Sequence, residues 1–257
     1  MRMRSWHWWI LSLSVVGLLG ALYLPFQKSL QSATREKTES QVQTGAATST
    51  QPTPDSAQTT PHSTPSNLSP EAQTIYAQVN PAVVTVYSVQ ELGSGVVVRS
   101  PGLVATNKHL VQNLATVKVK TSTGELYEGK VVDFDLQYDL ALIQLQNLDR
   151  PLAPVTLADQ TTLRVGDRVY AIGNPNGKPG VLSSGTFLQT TQHGSLQISA
   201  GMLAPGNSGG PLLNESGVMV GINKGLLADK TGLATAIQPL HTLLNRYETI
   251  RSDAGTQ

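Results

Sequence analysis

Short apolar stretches, separated by turn-forming residues, follow one another from about residue 82 onward. The alternation of apolar and polar positions predicts strands at 82–88, 95–99, 115–121, 126–134, 140–145 and 168–173, with further strands after residue 182. The apolar run at 102–106 is also typical of a strand. Because many short strands at this spacing indicate β-barrels, we predict an all-β fold.

Helical signals flank this strand-rich region at both ends. The sequence Ser-Pro-Glu at 69–71 combines an N-cap residue with a proline and an acid in the first turn, which predicts a short helix ending near Val79. Leucine and tyrosine recur at helical spacing between residues 240 and 247. They predict a second helix at about 239–251 that caps the C-terminal half of the strand region.

Residues 1–27 carry a membrane signal. Arg2 and Arg4 precede a mostly apolar run at 8–24, whose length is near the lower limit for a spanning helix. The run lacks a small-x-small cleavage site, which favours a retained signal anchor over a cleaved signal peptide, and the cleaved, freely periplasmic form stays as the alternative. The arginines orient the N-terminus toward the cytoplasm, so the rest of the chain is predicted to be extracytoplasmic.

Residues 28–68 are rich in Ser, Thr, Gln and Pro and contain almost no large apolar side chain. Such a composition cannot offset the entropy cost of ordering, so we predict a disordered linker with an r.m.s. span of about 35 Å. The remaining residues, 69–257, are enough for a single domain.

The composition restricts which partners and which kinds of catalytic group are expected in that domain. The formal net charge of +1, without a stripe of lysine or arginine, argues against a nucleic-acid partner. The chain has no cysteine, which excludes a thiolate nucleophile. Its five histidines form no closely spaced pair of the kind that binds zinc. We therefore predict neither a metal nor a cofactor.

The hexapeptide Gly-Asn-Ser-Gly-Gly-Pro at 206–211 places one serine, Ser208, among glycines that let the backbone approach a substrate closely. Upstream, His109 follows one apolar strand-like run and Asp139 opens another. Taken singly, each also fits a structural role, such as a tight loop, a core histidine or a capped turn. Together, histidine, aspartate and serine in this order are the residue types of a catalytic triad, and that interpretation is favoured.

Six motifs in a fixed order make the chain resemble the trypsin-fold serine proteases and, among them, the bacterial HtrA/Deg proteases. They are GSGVVV at 93–98, TNKHLV at 106–111, YDLALIQL at 138–145, LRVGDRVYAIGNPNG at 163–177, PGNSGGPLLN at 205–214 and VGIN at 220–223. The resemblance implies a trypsin-like pair of six-stranded antiparallel β-barrels with short N- and C-terminal helices. It also implies an active-site cleft between the barrels.

The resemblance further implies a role for each site residue. His109 is the implied general base, Asp139 the residue that orients it and Ser208 the nucleophile. The backbone N–H groups of Gly206 and Ser208 are the implied oxyanion hole. These residue types suit amide hydrolysis, because a serine hydroxyl needs a neighbouring base and the developing oxyanion needs preorganised donors.

Met202 and Leu203 lie just before the nucleophile and are predicted to form a substrate-binding wall. No acidic residue accompanies them, so we expect cleavage after small or medium apolar residues. A role for both residues as core side chains alone is an equal alternative.

The predicted protein is a serine endopeptidase tethered to the bacterial cytoplasmic membrane by a single pass, with its protease domain at 69–257 on the periplasmic side. The resemblance implies unfolded or damaged proteins as substrates and a homotrimer as the assembly. Too little sequence follows residue 237 for the PDZ domain of typical HtrA proteins. Because Ala200 and Ala204 replace polar residues of the HtrA pattern, a binding or chaperone-like module with an inactive oxyanion loop is the alternative.

Overall fold

The computed structural model describes residues 62–63, 68–89 and 91–254. The predicted anchor at 1–27 and most of the predicted linker at 28–68 lie outside these residues. Near the end of that linker, His62–Ser63 form a two-residue strand, β1, for which the composition had no signal. Of the helices that the structure describes, none has both the length and the apolar sequence needed to cross a lipid bilayer.

The first group of six strands forms a closed barrel. These strands are β2 Val83–Tyr87, β3 Leu92–Arg99, β4 Leu103–Thr106, β5 Thr116–Lys120, β6 Leu126–Asp135 and β7 Leu140–Leu145. They pair in the order β2-β3-β4-β7-β6-β5, and the antiparallel pairing of β2 with β5 closes the ring. The interior is rich in valine, whose branched side chain favours a pleated strand over a helix.

The second group of six strands forms another barrel. These strands are β8 Arg168–Gly173, β9 Val181–Thr190, β10 Ser195–Ile198, β11 Pro211–Leu213, β12 Met219–Leu226 and β13 Gly232–Ala236. They pair in the order β9-β10-β13-β12-β11-β8, and the pairing of β8 with β9 closes the ring. Strand β1 pairs antiparallel with β9. The predicted all-β, double six-stranded antiparallel architecture is confirmed.

Strand β8 shows how the two barrels are held together. Its residues Val169 and Ala171 belong to the apolar cluster inside the second barrel, whereas Tyr170 and Ile172 belong to the cluster that contains the first barrel's core. Alternate side chains of a strand lie on opposite faces, so β8 is buried on both. This explains its continuous apolar sequence.

Two helices flank the barrels, as predicted. Helix α1, Pro70–Val79, begins after the N-cap Ser69, whose Oγ accepts the N–H of Ala72 at 3.3 Å. Helix α2, Ile237–Ala254, extends beyond its predicted bounds at both ends. Its leucines pack into the larger apolar cluster, and Arg246 pairs with Asp133 of β6 at 2.7 Å. The helix therefore packs against the first barrel as well as the second, which it was predicted to cap.

Candidate active site

His109 and Asp139 are brought together by two paired strands of the first barrel. His109 begins a short 3₁₀ helix, His109–Val111, soon after β4, and Asp139 immediately precedes β7. Because β4 and β7 pair antiparallel, the end of one strand lies beside the start of the other. Asp139 Oδ2 lies 2.7 Å from His109 Nδ1, and Asp139 Oδ1 accepts the backbone N–H of His109 at 2.9 Å.

The backbone of Asp139 is itself held in an uncommon conformation. Its φ is +56°, in the left-handed region that aspartate and asparagine tolerate better than most residues. Its carbonyl accepts the backbone N–H of Lys108 at 3.1 Å and the side-chain amide of Asn107 at 3.1 Å. These bonds fix the carboxylate under the imidazole, and nothing in the sequence pattern had pointed to Asn107.

The proton on the imidazole can be assigned from its partner. An ionised carboxylate only accepts hydrogen bonds, so Nδ1 carries the proton and Nε2 of the neutral ring is left as an acceptor. The hydrogen bond to Asp139 is the largest influence on the pKa of His109 and raises it above the ordinary histidine value. Partial burial and the charge of Lys224 lower that pKa, whereas the charge of Glu91 raises it.

Ser208 comes from the second barrel, in the turn before β11. Its Oγ donates to the backbone carbonyl of Lys224 at 3.2 Å, and no hydrogen bond joins it to His109 within the described part of the chain. Lys224 sits at a register shift in β12, between Asn223 and Gly225, which turns its backbone away from the regular ladder. Sequence reasoning missed this carbonyl, because a backbone acceptor leaves no residue signature.

Gly206 occupies a position that only glycine can fill. Its φ is +99°, and a Cβ on it would collide with the carbonyl oxygen of Asn174 and lie 3.2 Å from Pro175 Cα. Its amide and that of Ser208, the two predicted oxyanion donors, donate to no acceptor among the described residues. Both N–H groups therefore remain available to a ligand.

Asn207 closes the turn that carries these amides. Its backbone N–H donates to the carbonyl of Ala204 at 3.0 Å, and its side-chain Oδ1 accepts the N–H of Ala204 at 3.2 Å. Asn207 is buried and neutral. Hydrogen bonds between Asn207 and Ala204 therefore close the turn around Gly206 without any charged side chain.

A mainly apolar cavity of about 600 Å³ opens beside Ser208. Leu203 lines it together with other apolar residues of both barrels, among them Leu92, Leu110 and Leu226. Met202 and Leu203 are both buried in the second barrel's core, and of the two only Leu203 also lines this cavity. The structure therefore brings Leu203, but not Met202, to the cavity.

A second cavity of about 410 Å³ adjoins the first on the His109 side. Glu91 and Leu110 line both cavities, so the cavity beside His109 and the cavity beside Ser208 are neighbours. Within the ranges that the structure describes, no group of three or more His, Asp or Glu side chains is arranged to hold a metal ion.

Comparisons with known proteins agree with this geometry. Residues 93–222 match the family described as trypsin-like peptidase domain. The chain is 40% identical over 149 residues to periplasmic serine endoprotease DegP of Salmonella typhimurium, covering 55% of this chain and 31% of the relative. It is 35% identical over 172 residues to putative serine protease HhoB of Synechocystis sp., covering 63% of this chain and 40% of the relative.

Among solved structures, the crystal structure of the serine endoprotease from Yersinia pestis matches with a TM-score of 0.62 and 28% sequence identity. That match covers 70% of this chain and 68% of the other. The HtrA/Deg resemblance of the sequence is therefore confirmed, although the matched part spans only about a third of the length of DegP, 31%.

Proposed function

The chain belongs to the trypsin-like peptidase family, and on that basis we propose that it is a serine endopeptidase that forms an acyl-enzyme on Ser208. One observation carries this proposal: the 2.7 Å contact between His109 Nδ1 and Asp139 Oδ2, beside a cavity that neighbours the one lined by Ser208. The contact leaves Nε2 free to accept a proton, which is the state that a general base needs.

The proposed reaction uses each group in turn. The Ser208 hydroxyl gives up its hydrogen bond to the Lys224 carbonyl and passes its proton to His109 Nε2. Its oxygen then attacks the scissile carbonyl carbon. Negative charge then develops on the carbonyl oxygen, and the N–H groups of Gly206 and Ser208 donate to it. His109 next protonates the departing amine, and a water molecule activated by the same imidazole hydrolyses the ester. Asp139 holds the ring and stabilises its cationic form throughout.

The cavity beside Ser208 supports a preference for apolar side chains at the residue before the cut. Leu203 and its apolar neighbours offer contact area for an apolar side chain, and the one ionisable residue in the lining, Glu91, also lines the cavity beside His109. We propose small or medium apolar residues at this position. A peptide library in which arginine or lysine dominated there would contradict this assignment.

The substrates are proposed to be unfolded or damaged proteins in the extracytoplasmic space. The names of the DegP relatives place those proteins in the periplasm and support the same side of the membrane for this chain. The single-pass anchor at 1–27 and a homotrimeric assembly are part of the proposal. Resistance of the full chain to carbonate extraction and its sedimentation mass in detergent test these two points separately.

A second candidate function is a binding or chaperone-like module without turnover. The observation that favours it is the 3.2 Å hydrogen bond from Ser208 Oγ to the Lys224 carbonyl, which engages the hydroxyl proton at that carbonyl rather than at His109. A fluorophosphonate probe separates the two functions, because it labels only a serine that the imidazole can activate. Labelling of the native chain, lost in Ser208→Ala, supports the peptidase. A folded native chain that stays unlabelled favours the binding module.

A further inference from the structure

Ser94 connects the first barrel to the turn that carries Ser208. It lies on β3 and is 0% exposed. A Cβ on neighbouring Gly95 would point into the first barrel, against Val84, Val86 and Val104. The Ser94 side chain therefore lies on the opposite face of β3, toward the second barrel.

All the hydrogen-bonding capacity of the Ser94 hydroxyl is used. Its Oγ accepts the backbone N–H of Asn174 at 3.0 Å and the side-chain amide of Asn174 at 3.0 Å. The same oxygen lies 2.7 Å from the carbonyl oxygen of Gly206. A hydroxyl has two acceptor sites and one proton, so the two donors from Asn174 direct that proton to Gly206.

The Ser94 backbone is attached to the same turn. Its N–H donates to the carbonyl of Ser208 at 2.8 Å, and its own carbonyl accepts the hydroxyl of Thr106 at 2.7 Å. One residue of the first barrel thus holds the carbonyls of both Gly206 and Ser208, which flank Asn207. Since every partner is buried or part-buried, these bonds are shielded from competing water.

The direction of the Gly206 amide depends on the peptide planes on both sides of Gly206, and Ser94 contacts the second of them. Glycine has no Cβ to restrict its rotation, so its peptide planes must be held by external bonds. The plane before Gly206 is held by the N–H of Asn176, which donates to the Pro205 carbonyl at 2.8 Å. The plane after it is held at the Gly206 carbonyl by the Ser94 hydroxyl at 2.7 Å and the N–H of Asn174 at 3.4 Å, and at the Asn207 N–H by its bond to the Ala204 carbonyl. Because N–H and C=O of a trans peptide point in opposite directions, the first bond directs the Gly206 N–H away from Asn176.

We propose that Ser94 is a positioning residue for hydrolysis: its hydroxyl holds the Gly206 carbonyl out of the cleft and so keeps the adjacent amides aimed at the oxyanion. This inference rests on the proposed peptidase function. It assigns Ser94 no contact with substrate, and it predicts an effect on the rate of the chemical step rather than on substrate affinity.

The test is steady-state hydrolysis of an apolar peptide ester and of casein by the full chain and Ser94→Ala. The kcat is expressed per active site titrated with fluorophosphonate. We expect kcat to fall about tenfold to a hundredfold, because loss of a whole oxyanion donor costs about 10²- to 10³-fold. KM and the midpoint of the acidic limb of the pH–rate profile should stay unchanged, since the pair formed by His109 and Asp139 is not altered.

Ser183→Ala is the matched control. Ser183 is a buried serine on β9 whose hydroxyl has no hydrogen-bond partner in the described part of the chain, so its removal should leave kcat at the native value. If Ser94→Ala does not fold, Ser94→Cys keeps the volume with a weaker donor and should lower kcat in the same way. Native kcat in either folded Ser94 variant would overturn the proposal.

Ser208→Ala distinguishes failure of this inference from failure of the proposed function. If Ser208→Ala hydrolyses the ester as fast as the native chain, the peptidase mechanism is wrong. If Ser208→Ala is inactive while Ser94→Ala turns over like Ser183→Ala, only the positioning role of Ser94 is wrong.

Discussion

Asp139 accepts two hydrogen bonds from His109, one from ring Nδ1 at 2.7 Å and one from the backbone N–H at 2.9 Å. Both carboxylate oxygens are therefore engaged by one residue. The ring bond selects the tautomer, and the backbone bond locks the carboxylate to the segment that carries the ring. The histidine has little freedom to turn away from the cleft.

Replacing Asp139 with asparagine should remove activity and spare the fold. Asparagine also tolerates the φ of +56°, but its amide cannot accept both bonds and favours the wrong tautomer. We expect kcat to fall about 10⁴-fold, as in trypsin-like triads in general. Asp149→Asn, which alters an exposed carboxylate that contacts Tyr127 and not His109, serves as the control and should keep native kcat. A fully active Asp139→Asn enzyme would rule out the triad.

The pH dependence of hydrolysis should follow His109. Its pKa is raised, and only the neutral ring can act as a base, so activity should rise with pH through a midpoint above the ordinary histidine value of about 6.5. Glu91→Gln removes a charge that raises this pKa and should lower the midpoint. Lys224→Met removes a charge that lowers it and should raise the midpoint. The pH profiles of kcat/KM for the native chain and the two variants show whether the midpoint moves in each expected direction.

Gly206→Ala should strongly lower activity for a steric reason. The new Cβ collides with the Asn174 carbonyl and displaces the proposed oxyanion donor, so we expect a loss of about 10²-fold or more in kcat. Gly166 has nearly the same φ, +97°, but a Cβ added there would meet nothing within 4 Å. Gly166→Ala therefore controls for backbone strain, costing stability of about 1–2 kcal/mol without affecting kcat. Equal kcat in both variants would contradict the role of Gly206.

Substitutions of Leu203 and of Met202 should have different effects on cleavage specificity. Leu203→Ala enlarges the cavity beside Ser208 and should shift the preferred residue before the cut toward larger apolar side chains. Met202→Leu conserves volume in the second barrel's core and should leave the preference unchanged, with a stability cost below about 1.5 kcal/mol. Profiles from a peptide library measure both. A shift in the Met202 variant but not the Leu203 variant would reverse the assignment.

Much of the fold could be predicted from the sequence because its strands carry strong local signals. The predicted bounds 140–145 and 168–173 coincide with β7 and β8. Helix α1 begins after Ser69 as its capping residues indicate. The two-residue strand β1 could not be predicted, since it depends on pairing with β9 rather than on its own composition. The packing of α2 against β6 includes the ion pair between Arg246 and Asp133, which joins residues far apart in the sequence and so leaves no local signal.

The same distinction applies to the candidate site, where reactive side chains could be predicted from the sequence and contacts between distant segments could not. His109, Asp139 and Ser208 could be singled out because their side chains are the reactive groups. The carbonyl of Lys224 and the N–H of Asn176 are backbone groups, and every residue has them. Ser94 is visible in the sequence only as part of a glycine-rich motif. Its role follows from the approach of two barrels, which no local pattern encodes.

The most direct measurement is casein hydrolysis by the full chain and by Ser208→Ala, prepared side by side in mild detergent, with fluorophosphonate labelling of both. The proposed mechanism predicts that the native chain cleaves casein and is labelled on Ser208, and that Ser208→Ala does neither. Equal hydrolysis by the two proteins, or a folded native chain that neither cleaves nor labels, would contradict it.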